Sequence, residues 1–189
     1  DDDVIWQRND GLVYTWSMQA GTFQTANAIT GVGGEWTLLG VGDFNGDNRD
    51  DIAWRRSDGT VFTWHMDGAA IASAQAITGL GSEWSFVATG DFNSDGRDDF
   101  VWRRADTGQT VLWQMNGGTI QSAAQTSQAI GPEWAIAGVG DFNRDGQDDF
   151  LLRRSSDGMV AIARMNGSTV VSITDIAAVS LGEWAVQQV

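Results

Sequence analysis

Apolar and polar residues alternate along most of this chain in short runs, and the runs are broken by Gly, Asp, Asn and Ser. In one such run Phe62, Trp64 and Met66 share a face at period two, the spacing of a half-buried β-strand. The pattern around it predicts four strands, A to D, over 36–44, 51–56, 60–66 and 71–77. Turn-forming segments join them: Ser57-Asp58-Gly59 between B and C, Asp67-Gly68 between C and D, and 79–82 before the next A. No segment carries a convincing helical period.

The same unit recurs. Gly-Asp-Phe-Asn begins at Gly42, Gly90 and Gly140. Glu-Trp falls at Glu35-Trp36, Glu83-Trp84, Glu133-Trp134 and Glu183-Trp184, and a Met ends strand C at Met18, Met66, Met115 and Met165. Each ladder steps by 48 to 50 residues. Four strands per repeat of this length is the pattern of a propeller blade, which stacks on its neighbours to bury its faces. The expected fold is therefore all-β: a single domain over 1–189, a β-propeller of four four-stranded antiparallel blades. Its repeats run at about 1–34, 35–82, 83–132 and 133–183. The chain enters at a strand B and leaves at a strand A. Residues 184–189 are thus expected to complete the first blade beside strand 4–8 and close the ring, which removes its open edge. The alternative is four units of a larger ring.

Composition then narrows the function. With 42% hydrophobic residues the 189-residue chain can pack a core, and 24 Gly suit a fold of many tight turns. Cysteine is absent, so disulfides are excluded. No apolar run reaches the ~18 residues of a membrane-spanning helix, and no membrane insertion is expected. All 11 basic residues are Arg, 21 of the 25 acids are Asp, and the net charge is -14. Such a charge disfavours nucleic acid and anionic membrane as partners. It also raises the question of what neutralises so many aspartates.

The answer lies between strands A and B. The second unit there carries Asp43, Asn45, Asp47, Arg49 and Asp51; the third Asp91, Asn93, Asp95, Arg97 and Asp99; the fourth Asp141, Asn143, Asp145, Gln147 and Asp149. Side-chain oxygens thus stand at positions 1, 3, 5 and 9 of each loop, with position 7 able to lend a backbone carbonyl. Six to eight hard oxygens are what calcium requires, so three calcium sites are expected. Position 6 needs a permissive backbone, which suits Asn48, Gly96 and Gly146. The loop is not an EF-hand, because position 12 is Trp54, Trp102 or Leu152 rather than a bidentate Glu.

Gly-Asp-Phe-Asn-x-Asp-x-x-Asp-Asp, followed by a strand ending in Trp and Arg, resembles the FG-GAP/VCBS repeats of integrin α-chain propellers and of many bacterial secreted proteins. The resemblance implies a propeller with calcium in its A–B loops, on a secreted or cell-surface protein. The first unit departs from the pattern: only Asp1, Asp2 and Asp3 of its loop are present.

The remaining repeated residues suggest a ligand rim. Strand A opens on Trp36, Trp84, Trp134 and Trp184, at the end away from the calcium loops. Strand B runs back to that end and finishes in Arg8, Arg56, Arg104 and Arg154, next to turns holding Asp10, Asp58, Asp106 and Asp157. One reading is structural, an Arg–carboxylate pair fixing the turn over a Trp. The other is a repeated pocket in which Trp meets the apolar face of a sugar while Arg and Asp meet its hydroxyls. The B and C tryptophans (Trp6, Trp54, Trp102, Trp16, Trp64 and Trp113) are expected to fill the wedges between blades. His65, the single histidine, is expected at the surface or between blades.

Repeated sites favour recognition over catalysis, since several weak sites gain avidity. The expectation is a non-enzymatic, lectin-like carbohydrate-binding module whose partner is a glycan. The alternatives are a protein–protein adhesion or scaffold module with an extracellular protein ligand, or an accessory domain of a larger extracellular enzyme.

Overall fold

The structure is a computed structural model in which residues 4–179 are described. Every regular element among them is a strand, and the strands form four antiparallel sheets, consistent with propeller blades. Blade 1 holds β1 (Val4–Gln7), β2 (Leu12–Gln19) and β3 (Thr22–Gly31). Blade 2 holds β4 (Trp36–Gly42), β5 (Asp51–Arg56), β6 (Val61–Asp67) and β7 (Ala70–Ile77). Blade 3 repeats the set as β8 (Trp84–Gly90), β9 (Asp99–Arg104), β10 (Thr110–Asn116) and β11 (Thr119–Gln125). Blade 4 does so as β12 (Trp134–Gly140), β13 (Asp149–Arg154), β14 (Met159–Asn166) and β15 (Thr169–Ala178).

Strands neighbour one another in sequence order within each sheet. The expected strand A over 36–44 ends two residues early, because Asp43 already belongs to the loop. The A strand β8 lies beside both β4 and β12. They line a central cavity of about 780 Å³ with Leu39, Val87 and Val139 among its walls. Blade 1 shows strands B to D. The strand expected at 184–189 lies outside the described residues, and so does Trp184.

Each blade has two faces with different partners. In blade 3, Phe100 and Trp113 are cross-strand neighbours on one face, and Val101 and Leu112 on the other. The first face joins Trp102 and Met115 in packing against Phe44, Ala53, Val61 and Ile77 of blade 2. The second, with Ile130, packs against Phe150, Leu152, Ala163 and Met165 of blade 4. Blades 1 and 2 meet in the same way, through Val13 and Ile5 against Ile52, Trp54 and Met66. Trp54, Trp102 and Trp113 therefore fill the wedges as expected, and their burial supplies much of the inter-blade cohesion. Trp6 and Trp16 do not: they are 49% and 39% exposed. They lie on the first face of blade 1, and no described blade packs there.

Candidate functional site

Each A–B loop is wound around its first aspartate. Asp43 Oδ1 accepts the N–H groups of Gly46 (2.6 Å) and Asp47 (3.1 Å), and Oδ2 that of Asn48 (2.7 Å). Asp91 accepts Asn93, Asp95 and Gly96, and Asp141 accepts Arg144, Asp145 and Gly146. Position 5 then takes the N–H of position 7, as Asp47 does from Arg49 (3.0 Å), Asp95 from Arg97 (3.0 Å) and Asp145 from Gln147 (2.9 Å). Position 6 is left-handed in all three loops, at Asn48 (φ 62), Gly96 (φ 75) and Gly146 (φ 83), as the spacing required. Position 4 is left-handed too, at Gly46, Ser94 and Arg144. Only Gly46 shows this in its residue type; Ser94 and Arg144 do not.

The ninth position anchors the loop to the blade. Asp51, Asp99 and Asp149 are fully buried. Oδ1 of each accepts, at 2.9 Å, the N–H of the Met that ends strand C: Met66, Met115 and Met165. That N–H is free because the C–D ladder slips its register between the Met and the residue before it, in all three blades. The Met ladder read from the sequence thus marks a bulge that holds the aspartate.

A buried carboxylate among other carboxylates is costly. Burial, reinforced by the charges of Asp47 and Asp43, pushes Asp51 up to about 6 against the N–H bond from Met66. Burial with Asp95 and Asp91 pushes Asp99 up to about 7, and Asp149 shifts the same way beside Asp145 and Asp141. Asp149 Oδ2 is buried without a hydrogen-bond partner. Among the described residues no three His, Asp or Glu side chains gather around one point, since several carboxylate oxygens are turned onto loop N–H groups. The donor set nevertheless fits a hard cation in kind: it is all oxygen and rich in negative charge, and in the loop of blade 4 it includes a buried oxygen with nothing to bind.

The profile of the FG-GAP-like repeat matches residues 43–102 and 91–152, each span running from one such loop through the next, and together they cover more than half of the chain. The chain belongs to the FG-GAP-like repeat family. No curated protein matches it. FG-GAP-like repeats often bind calcium.

The repeat also contains two clamps between blades that sequence reasoning passed over. Asp98 and Asp148, at position 8, reach back to the preceding blade. Asp98 Oδ2 accepts the N–H of Asp43 at 2.9 Å, and its own N–H donates to Asp43 O at 2.8 Å. Asp148 does the same with Asp91. This explains the Gly of Gly-Asp-Phe-Asn: a Cβ at Gly42 would fall on Asp98 Oδ2, and one at Gly90 would lie 2.5 Å from Asp148 Oδ2. Burial and the neighbouring charges push Asp98 up to about 6. The hairpin of the next blade adds a second stitch, with Gly117 N–H donating to Phe44 O and Gly167 N–H to Phe92 O.

On the opposite rim Arg55 and Arg103, the first Arg of the pairs in blades 2 and 3, are the clamps. Arg103, 8% exposed, donates to the carbonyls of Gly108 (2.8 Å), Ile130 (3.1 Å), Gly131 (2.9 Å) and Trp134 (2.7 Å), the last at the start of blade 4. Arg55 donates likewise to Leu80, Gly81 and Trp84. The signals were present as doubled residues, Asp98-Asp99 and Arg103-Arg104, of which the sequence reading used one member each.

The described Trp and Arg residues expected on the ligand rim are cross-strand neighbours in blades 2, 3 and 4. Trp36 pairs across the ladder with Arg56, Trp84 with Arg104 and Trp134 with Arg154. Arg8, Arg56, Arg104 and Arg154 form ion pairs with Asp10, Asp58, Asp106 and Asp157. The Arg56 guanidinium lies over the Trp36 ring at 5.6 Å and that of Arg154 over Trp134 at 5.0 Å, so these indoles already carry a cation on one face. A cleft of about 820 Å³ opens between blades 2 and 3 on this rim, lined by Glu35, Arg56, Ser57, Asp58, Ser82, Ser85 and Phe86. Trp36 is not among its lining residues. His65 lies near the blade 2–3 boundary: its Nδ1 meets Ser73 Oγ at 3.1 Å, and a Cβ on Gly117 of blade 3 would touch its ring.

Proposed function

We propose that this chain is a calcium-stabilised, non-catalytic carbohydrate-binding module of a secreted or cell-surface protein. Calcium would be held in the loops 43–51, 91–99 and 141–149 by the Asp and Asn side chains at positions 1, 3, 5 and 9 and the backbone carbonyl at position 7. When bound, it supplies the positive charge that the buried ninth aspartate lacks. The cleft between blades 2 and 3 supports the ligand reading. It sets two arginines, two carboxylates and three serine hydroxyls around one space, with Phe86 as an apolar surface. A sugar presents the complementary chemistry: hydroxyls that both donate and accept, and an apolar ring face. The Trp platform contributes less than the sequence suggested, because Arg56 covers Trp36.

A glycan screen of the calcium-loaded chain, repeated in chelator, tests this. The expected result is binding to one class of glycan that falls at least about tenfold in Arg56→Ala and in Asp58→Ala, as losing a charged hydrogen bond implies. If the calcium-loaded chain retains no glycan, the carbohydrate reading is wrong and an adhesion or scaffold role takes its place.

A further inference from the structure

The arginine clamp is missing from the interface between blades 1 and 2. Gln7 pairs with Val13 across its ladder as Arg55 pairs with Val61 and Arg103 with Thr110. It keeps one of the clamp's bonds: Gln7 Nε2 donates to Trp36 O at 3.3 Å, as Arg55 Nη1 donates to Trp84 O at 2.7 Å. Arg55 does two further things at the next interface. It donates to Leu80 O and Gly81 O, both at 2.9 Å, and its Cζ lies 5.3 Å from the centre of the Trp102 ring. Gln7 has a shorter, uncharged side chain and does neither. Among the described residues nothing donates to the carbonyl of Val32, the counterpart of Leu80. Nor does a described guanidinium lie over Trp54, the counterpart of Trp102.

A pocket of about 200 Å³ stands at that place, lined by Gly31, Val32, Trp36, Trp54, Phe62 and Trp64. Its rings repeat those that hold Arg55. Trp54 and Trp64 sit 5.0 Å apart at 52°, as Trp102 and Trp113 do. Trp36 and Phe62 meet edge to face at 5.1 Å. Trp113 is only 3% exposed, whereas Trp64 is partly exposed. Aromatic faces carry the negative side of a quadrupole and attract cations. A carboxylate stands close by: a Cβ at Gly33 would lie 2.5 Å from Glu35 Oε2, just as one at Gly131 would lie 2.3 Å from Glu133 Oε2. At that second place the charge of Glu133 favours the charged form of Arg103 against its burial. The nearest arginine of blade 1, Arg8, is already held by Asp10.

We propose that this pocket binds a guanidinium group from outside the chain, that of an arginine side chain on a peptide or protein, seated over Trp54 where Arg55 sits over Trp102. A guanidinium suits the place better than an ammonium. It is planar and weakly hydrated, so it stacks on an indole while its edge still donates to carbonyls. The aliphatic stem of an arginine adds apolar surface for the remaining rings. The net charge of -14 draws such a basic partner toward the chain. The pocket shares no lining residue with the cleft between blades 2 and 3 and does not depend on the glycan reading.

The test follows the indole N–H resonances of Trp54 and Trp64 by NMR in calcium buffer. The probes are a capped pentapeptide with one arginine among glycines, the same peptide with citrulline or lysine in its place, and guanidinium chloride. The arginine peptide is expected to shift both resonances to saturation. Citrulline has the same shape without the charge and is expected to bind about tenfold more weakly. Gln7→Arg supplies the guanidinium from within the chain, so it is expected to abolish peptide binding while keeping the β-sheet circular dichroism. Trp54→Leu, which copies Leu152 at the same position of blade 4, is expected to lose the shift at Trp64. Equal binding of the citrulline or lysine peptide overturns the proposal, and so does undiminished binding to folded Gln7→Arg. Guanidinium binding as tightly as the peptide makes the occupant a free cation and overturns the arginine assignment. No saturable shift with any probe overturns it outright.

Discussion

The two rims of the blade stack solve one problem with opposite charges. On the loop rim, Asp98 and Asp148 hold the preceding blade by accepting its backbone N–H groups. On the far rim, Arg55 and Arg103 hold the following blade by donating to its carbonyls. The arginine rim is self-sufficient: Arg55 and Arg103 are each spread over several carbonyl dipoles, and the neighbouring Arg56 and Arg104 pair with Asp58 and Asp106 in the adjacent turns. The loop rim is not. Its clamps stand next to three further acids per loop, and burial adds to their mutual repulsion. Anions placed so densely repel one another unless a bound cation or protons relieve them. The difference therefore predicts that one rim answers to metal and pH and the other does not.

The largest expected effect is calcium removal. A ligand that binds only the folded chain stabilises it by about 2.7 kcal/mol per site at a hundredfold excess over Kd. Three sites would then rival the roughly 5–15 kcal/mol that holds an ordinary domain together. Melting in excess chelator should fall far below melting in calcium, and coincident curves would refute the metal reading. The pH dependence sharpens the point. Asp51, Asp98 and Asp99 have folded values of about 6, about 6 and about 7, above their ordinary 3.8. A raised value means stability that is complete below 3.8 and lost as pH rises through the folded values. In chelator the melting temperature should therefore drop from pH 4 to pH 7. In calcium the trend should reverse, because protons compete with the metal. Asp10 and Asp157, lowered to about 2 by their Arg partners, work with the opposite sign and lose their contribution only below 3.8, outside that window.

The next effect separates neighbours on the arginine rim. Arg103 is desolvated and makes five hydrogen bonds, four of them to carbonyls and one to Thr110 Oγ1. Arg103→Ala should cost about 3 kcal/mol, since the acceptors left behind are shielded from water. Arg104 pairs with an exposed Asp106 in solvent, where ion pairs contribute little. Arg104→Ala should leave the urea midpoint unchanged within error. Equal losses at the two positions would mean that Arg103 is not the clamp. Neither loss should depend on calcium.

The fold was largely legible because each blade repeats the same alternation, so four weak strand patterns reinforced one another. The loops were legible for a related reason: side chains at positions 1, 3, 5 and 9 carry the chemistry, and side chains are what a sequence displays. What stayed hidden was work done by backbone. Asp98 binds the N–H and carbonyl of Asp43, and Arg103 binds carbonyls, so neither has a complementary side chain to betray it. The exposure of Trp6 was hidden for a different reason. Its surroundings depend on which blade stands beside it, and the repeat makes Trp6 look identical to the buried Trp54.

The smallest expected effect lies within the loops themselves. Position 4 is left-handed in every loop, with φ of 81 at Gly46, 59 at Ser94 and 64 at Arg144. A side chain there crowds Cβ against the following carbonyl, at a cost of roughly 1–2 kcal/mol that glycine escapes. Blade 2 supplies the control, because Gly46 already occupies the position. Ser94 recovers part of the cost through its hydroxyl, which donates to Gly146 O at 2.7 Å and ties two loops together. Arg144→Gly should raise stability by about 0.5–1 kcal/mol, the relief of strain less the extra freedom glycine gives the unfolded chain. Ser94→Gly should gain less, since it also deletes the bond to Gly146. The gain at Arg144 should persist in chelator, because it belongs to the backbone and not to the metal. A loss of stability at Arg144→Gly in both conditions would show that the side chain, rather than the backbone, decides what position 4 tolerates.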